Sequence, residues 1–432
     1  MIKHLVEHIE GEAILNFYNQ WGKIRDVQIY FPNFRGIESI LENRAALDAL
    51  IISPRVCGIC GHSHLMATVR SLESVLKANS IPVKLSLKAR AIRDITLYCE
   101  MIQNHFKWFY LSLWPKLANL TKTQPPAYLK MHHATTQITS VIAIFAGQWP
   151  HSSYAIPGGV VCDPTPLELM QADALLCSVI EFFEESMVKD SLDNILDMKR
   201  CEQLLRLNGD LPDMLRLLEK ENLSTVGKSH GRFIVFGNHS LFSKAKMETN
   251  IYQSLHIDKI EEEKPVHYGK KTFAKNVKFN GKFYETGPLA RALTKKVPLI
   301  RDMFHRNKDT IAIRITARVY EIAILLQECR RLISTINIDE PSHIDPESSW
   351  QSISGEGIGI VEAPRGSLIH KISIENGKIK SSQITTPTQW NLGTSSTQDP
   401  SVAQKAMIGL KDTAVAEFVF RTFDVCSVCT TH

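Results

Sequence analysis

Two short segments carry the residue types best suited to chemistry. RVCGICGHSH (residues 55–64) and FDVCSVCTTH (residues 423–432) each hold Cys-x-x-Cys, with a histidine four or three positions further on. Two thiolates at this spacing can chelate one soft metal from a single turn, and a second such pair completes a four-sulfur site. On spacing alone four chemistries compete: a structural zinc, an iron–sulfur cluster, a thioredoxin-like redox pair and a catalytic transition metal. A redox pair explains one motif, not two. Zinc knuckles normally lie some tens of residues apart, whereas Cys60 and Cys426 are separated by most of the chain. The first pair immediately precedes a helical pattern, whose N-terminal partial charge is expected to favour thiolates at Cys57 and Cys60.

The elements that must position these pairs are readable in outline. Residues 12–31 alternate as a hairpin with its turn at Asn19 to Gly22. From Ser63 onward Leu65, Val69, Leu72, Val75 and Leu76 recur at helical spacing. Further helical regions cover about 86–120, a stretch capped by Thr165 with Pro166 at its first position, and about 311–336. Late in the chain VKFNGKFY and LIHKISIENGKIKSSQI place Asn280-Gly281 and Asn376-Gly377 between alternating arms, which predicts two hairpins with primed turns. Residues 258–275, charged and poor in large apolar groups, read as a surface excursion. The result is an α+β chain, mainly helical, with small antiparallel sheets near both termini. It divides into an N-terminal hairpin region (1–54), a helical body (55–350) and a C-terminal hairpin with a metal-binding tail (351–432), all within one unit (1–432).

Composition narrows the classes. An apolar fraction of 44% and a charged fraction of 22% are those of a globular protein. A net charge of +5, with no basic run interleaved with aromatics, argues against nucleic-acid binding. No apolar run reaches the roughly 20 residues of a membrane span. The charged N-terminus, MIKHLVEHIEGE, lacks the apolar stretch of a signal peptide, so a cytoplasmic location is expected, with co-export alongside a partner left open. Nine cysteines, an odd number, point to reduced thiols with metal or redox use for some. Cys99, Cys162, Cys177, Cys201 and Cys329 stand singly and are expected to be buried packing residues. GEGIG (355–359) lacks the G-x-G-x-x-G pattern and following helix of a phosphate loop.

The residues around the cysteines resemble the nickel–iron hydrogenase large-subunit family. Its first signature, R-x-C-G-x-C-x-x-x-H, matches Arg55 to His64 at every fixed position. Its last, D-P-C-x-x-C-x-x-H, matches Asp424 to His432 except for Val425 in place of Pro. HIEGEAIL (8–15), FRGIE (34–38), PGGV (157–160), GPLAR (287–291), RITARVYE (314–321), GEGIGIVEAPRGSLIH (355–370) and TPTQWN (386–391) follow in the family's order. The resemblance implies a central bundle of long helices and a nickel–iron centre whose iron carries CO and cyanide. Cys57 and Cys426 would be terminal on nickel; Cys60 and Cys429 would bridge to iron. Cys426 would be the first proton acceptor and Glu10 the next. Arg365 would act at the reacting centre and, with Thr388, face the cyanides, with Ala363, Pro364 and Pro387 shaping dry walls. His64 would hydrogen-bond a bridging sulfur, while His62, outside the pattern, reads as structural. Glu38, the carbonyl of Ile384 and His432 would bind a second metal, magnesium or iron.

The same resemblance implies H₂ as substrate and a small subunit carrying Fe–S clusters, with a higher oligomer of that heterodimer compatible with it. It also implies maturation proteins and an endopeptidase that cuts after the final histidine, so a chain ending at His432 is expected to be the processed form. Three readings stand beside catalysis: a hydrogen-sensing regulatory subunit with the same site, the related quinone-reductase subunit of respiratory complexes, which has generally lost the four cysteines, and a structural zinc protein. Val425 and Ser395, the latter near where many relatives carry arginine, bear on direction, rate and oxygen response.

Overall fold

The computed structural model of the chain describes residues 2–8, 11–237, 241–248, 251–253, 255, 259–263 and 272–429. Glu10 and His432 lie outside the described residues.

The N-terminal hairpin is part of a three-stranded antiparallel sheet, β1 (Ile2–His8), β2 (Gly11–Gln20) and β3 (Lys23–Tyr30). The turn between β2 and β3 places Trp21 and Gly22 at positive φ (51° and 71°), the primed geometry that suits strand twist. A short helix, α1 (Ile37–Leu41), carries Glu38. The first cysteine pair then leads into α2 (Gly61–Ala78), in which Leu65, Val69, Leu72, Val75 and Leu76 are all buried, as their spacing predicts. Next come α3 (Leu87–Lys107) and α4 (Leu129–Ala146). A capped helix, α5 (Pro166–Phe182), opens with the reciprocal Thr165–Glu168 capping box. The longest helix is α6 (Ile311–Thr335). Helices α3, α4, α5 and α6 pack as a bundle that shares one large apolar core with α2.

The C-terminal sheet is β4 (Gly355–Ala363), β5 (Gly366–Glu375) and β6 (Lys378–Thr385), antiparallel in that order. Asn376 and Gly377 turn between β5 and β6 with φ 50° and 74°. Strand β4 lies directly on α2, and its glycines make this close approach feasible. A Cβ at Gly359 would sit 1.8 Å from the Ala67 carbonyl oxygen, and one at Gly357 2.1 Å from that of Ser71. Two residues along a strand advance about 6.6 Å and four along a helix about 6 Å, so the two elements keep step. Continued in the same register, the strand brings Ala363 and Arg365 to the Cys60 end of α2. The GEGIG run is therefore a packing surface and not a phosphate loop. After β6, Thr386 caps α7 (Pro387–Leu392) with a second capping box. The last long element, α8 (Thr413–Arg421), precedes the second cysteine pair.

Several expectations need correction. Asn280-Gly281 does turn, with Phe279 and Lys282 exchanging backbone hydrogen bonds, but the strand before it, Asn276–Phe279, pairs with Ile260–Glu263 and not with the following arm. Residues 258–275 thus contain a strand, stabilised by the Lys275–Glu262 and Lys278–Glu263 ion pairs. Helix α4 gave no clear helical pattern: His132, His133, Thr135, Thr136, Thr139 and Ser140 have modest propensity, and packing against α3 and α5 overrides it. Of the single cysteines, Cys99 and Cys329 are buried, Cys162 and Cys201 are half-buried and Cys177 is exposed. Cys177 lies on the outward side of α5, whose apolar residues are too continuous to show which side faces the core. No helix among the described residues is long and apolar enough to cross a membrane.

Candidate metal centre

The four paired cysteines converge. Their sulfurs lie within 4.8 Å of one another and all four residues are buried. Cys57 Sγ is 3.6 Å from Cys426 Sγ, Cys60 Sγ 3.5 Å from Cys429 Sγ, and Cys426 Sγ 3.0 Å from Cys429 Sγ. Among the described residues this is the one group of His, Cys, Asp and Glu side chains with metal-binding geometry. Its two halves come from a loop before α2 and a short 3₁₀ turn, Ser427–Cys429, after α8. Asp424 adopts φ 61°, a left-handed conformation uncommon for a non-glycine residue, and this bend aims the second pair inward.

The thiols are electrostatically unequal. Burial pushes Cys57 up, and hydrogen bonding to Cys426 pushes Cys60 and Cys429 well up. Cys426 is held well below the usual thiol value: burial raises it, but hydrogen bonds from Cys429, Cys57 and Cys60 and the charge of Arg365 outweigh that. The helix N-terminus does not favour thiolates at the first pair, contrary to expectation. The amides of His62 and Ser63 are taken by the Glu100 carboxylate instead.

Beside the sulfurs lies a small cavity of about 10 Å³. Cys60, Cys429, His64, Ala363, Pro364, Arg365, Leu368, Thr386, Pro387 and Thr388 line it. All six residues expected around the centre, His64, Ala363, Pro364, Arg365, Pro387 and Thr388, are therefore in one wall set with the two expected bridging cysteines. Two buried donors there, Arg365 Nη1 and Thr388 Oγ1, have no hydrogen-bond partner among the described residues. Unpaired buried donors cost about 1–3 kcal/mol each, so they mark a place where an acceptor belongs. The soft S₄ set, an adjoining dry cavity and two unmet donors fit an iron-bound cyanide group well.

Arg365 is held from behind. Its Nε donates to the Asp424 carbonyl oxygen (3.1 Å) and Nη2 to Asp424 Oδ1 (3.3 Å). Arg318 Nη1 donates to Asp424 Oδ2 at 2.6 Å. Only Nη1 of Arg365 is left for the cavity. Asp424 and Arg318 lie in recognised motifs, yet nothing local marks them as partners. His370 is a further residue that sequence reasoning missed. His64 Nε2 is 3.8 Å from Cys429 Sγ, His64 Nδ1 is 3.0 Å from His370 Nε2, and His370 Nδ1 is 3.0 Å from Thr68 Oγ1. One tautomer set satisfies the row: Thr68 donates to His370, His370 to His64, and His64 to the sulfur. His62 is fully buried against Tyr154, and burial followed by the His151 charge lowers it to about 4, so it is a neutral packing residue.

The second-metal candidates meet in part. Glu38 Oε1 accepts from the Ile384 amide at 2.7 Å. Lys275 Nζ lies 3.8 Å from Glu38 Oε2 and 3.0 Å from Glu262. Glu38 is only half-buried, and the third candidate, His432, is outside the described residues.

A mainly helical fold that joins two distant Cys-x-x-Cys pairs in one buried sulfur site defines a thiolate-bound transition-metal protein. Comparison with known proteins places it more closely. The family model for nickel-dependent hydrogenases matches residues 35–120 and 114–432, and the chain belongs to that family. It is 24% identical to one chain of the F420-non-reducing hydrogenase of Methanothermobacter marburgensis, covering 99% of this chain and 93% of that protein. It is 23% identical to the alpha chain of sulfhydrogenase 1 of Pyrococcus furiosus, covering 99% and 96%. The fold matches the Ni-Fe-Se hydrogenase of D. vulgaris Hildenborough with a TM-score of 0.84 at 20% identity over the full length of both chains.

Proposed function

We infer that this chain is the catalytic large subunit of a nickel–iron hydrogenase, interconverting H₂ with two protons and two electrons. The observation that carries the reading is the joint one: four buried sulfurs within 4.8 Å, beside a cavity faced by two unmet donors. A nickel–iron centre with CO and cyanide on iron, when bound here, supplies the heterolytic splitting of H₂. Cys57, Cys60, Cys426 and Cys429 would hold that centre through their four sulfurs.

The chain's own residues do the rest. Cys426 would take the proton as it leaves, since a thiolate held on a metal can exchange one. Glu10 would receive it next. Arg365 Nη1 and Thr388 Oγ1 would donate to the cyanide nitrogens, and Asp424 keeps the guanidinium from turning away. Ala363, Pro364, Leu368 and Pro387 present apolar walls that exclude water. His64 donates to Cys429 and withdraws electron density from that sulfur, with His370 fixing its tautomer. Glu38, the Ile384 carbonyl and His432 would hold a second metal, magnesium or iron, with the first two offering hard oxygen ligands.

After the four site cysteines, five remain, and they are dispersed. They cannot build an electron relay of Fe–S clusters. Electrons therefore leave through a partner subunit that carries such clusters. The deciding experiment is infrared spectroscopy with elemental analysis of the purified complex. CO and cyanide stretches with nickel and iron bound are the expected result. Zinc alone, without those bands, would refute the reading. A regulatory, hydrogen-sensing subunit shares the site, and steady-state turnover against a redox dye separates it from a catalytic one.

A further inference from the structure

The start of α2 presents an unusual problem. A helix begins with amide groups that have no partner within the helix, and a Ser, Thr, Asp or Asn at the N-cap normally accepts from them. Here the N-cap is Cys60, whose side chain makes no capping hydrogen bond and whose sulfur is committed to the metal centre. The cap is supplied from another helix. Glu100, on α3 and fully buried, accepts from the His62 amide at 2.8 Å, the Ser63 amide at 3.0 Å and the Ser63 hydroxyl at 2.7 Å. One turn further along α3, buried Asn104 donates through Nδ2 to the Ile59 carbonyl at 2.5 Å and to the Glu100 carbonyl at 2.8 Å.

These two side chains therefore grip the backbone on both sides of Cys60: Asn104 on the residue before it, Glu100 on the second and third residues after it. The remaining side is closed by Gly61, where a Cβ would come within 2.8 Å of the Pro54 carbonyl oxygen. We propose that Glu100 and Asn104 form a positioning clamp that sets the direction of the Cys60 sulfur, so that α3, which contributes no ligand, fixes the geometry of the metal centre. The i, i+4 spacing on a rigid helix gives the pair a common face, and both carry their load through short, fully buried hydrogen bonds. The clamp rests on the hydrogenase reading, since its purpose is to hold a ligand of that centre.

The test compares Glu100→Gln and Asn104→Leu with Glu73→Gln in the assembled complex. Glu73 is also a buried carboxylate on α2, but it pairs with Arg93 far from the cysteines. Nickel release to a chelator, infrared bands of CO and cyanide, and melting temperature are read on each sample. The clamp predicts nickel release faster by about 10- to 100-fold for the first two variants, the range typical when a group orienting a metal ligand is lost. It also predicts shifted or split bands in the molecules that keep their metals. Glu73→Gln should lower the melting temperature and leave release and bands unchanged. Wild-type release with unmoved bands in Glu100→Gln and Asn104→Leu would overturn the clamp. The same changes in Glu73→Gln would overturn it too, as a general stability effect. If Glu100→Gln fails to fold, Asn104→Leu, which removes no charge, decides alone. Wild-type protein without nickel or bands would instead overturn the hydrogenase reading itself.

Discussion

Replacing Arg365 with Lys keeps the charge and removes the fork. In the native site three nitrogens have divided duties: Nε and Nη2 bind Asp424 at 3.1 and 3.3 Å, and Nη1 faces the cavity. A lysine ammonium is a single point at the end of a flexible stem. It can pair with the Asp424 carboxylate or reach into the cavity, but it cannot hold both positions at once. Pairing should win, because Asp424 is a buried carboxylate that already holds this side chain. The variant then lacks one preorganised donor at the reacting centre. Such a loss costs about 10²–10³ in kcat, roughly 2.7–4 kcal/mol. With the positive charge retained nearby, the lower end, about 10²-fold, is expected. Stability should change much less, since the Arg318–Asp424 pair at 2.6 Å stays in place. The assay is H₂-dependent dye reduction, with nickel, iron and melting temperature measured on the same preparation. A fully metallated Lys variant working at a near-wild-type rate would show that Nη1 has no part in the chemistry.

Three further outcomes follow from the same structure and motifs. Glu10→Gln should keep its metals and lose hydrogen/deuterium exchange activity, because the amide preserves shape but carries no proton; unchanged exchange would remove Glu10 from the relay. His432→Ala should release nickel more readily and melt at a lower temperature, because it would unfasten the tail that carries Cys426 and Cys429; full nickel with unchanged melting would limit the match at that position to protease recognition. Glu321 tests linkage. Burial alone would raise its carboxyl, but the Arg291 charge and the His105 and Arg291 hydrogen bonds hold it at about 2, below its ordinary 4.5. A depressed carboxyl contributes stability above its unfolded value and loses it as pH falls toward the folded value. Glu321→Gln should therefore be destabilised by about 3–5 kcal/mol near neutral pH, the cost of breaking a buried ion pair. The gap in melting temperature should shrink as pH drops from about 4.5 towards 2. A gap independent of pH would contradict the assignment.

The metal-binding residues were legible because their signal is local and covalent in character. Cys-x-x-Cys says which atoms can share a metal from one turn, whatever surrounds it. Caps and tight turns were legible for the same reason: Thr165 with Pro166 and Asn376-Gly377 act within a few residues. The six cavity residues were found by motif resemblance, and the register of β4 on α2 explains why that motif must sit where it does.

Sequence by itself thus determined the ligand types, the helical and hairpin segments around them and the family. Tertiary structure alone decided which groups answer one another across the fold. Asp424 holding Arg365 and Arg318, His370 behind His64, Glu100 and Asn104 gripping the Cys60 loop, and Ile260–Glu263 as the partner of Asn276–Phe279 all join segments far apart in the chain. A buried carboxylate or amide has the same local appearance whatever its partner. Its role comes from packing that brings a particular donor within about 3 Å in a place without water, where an unmet hydrogen bond is costly.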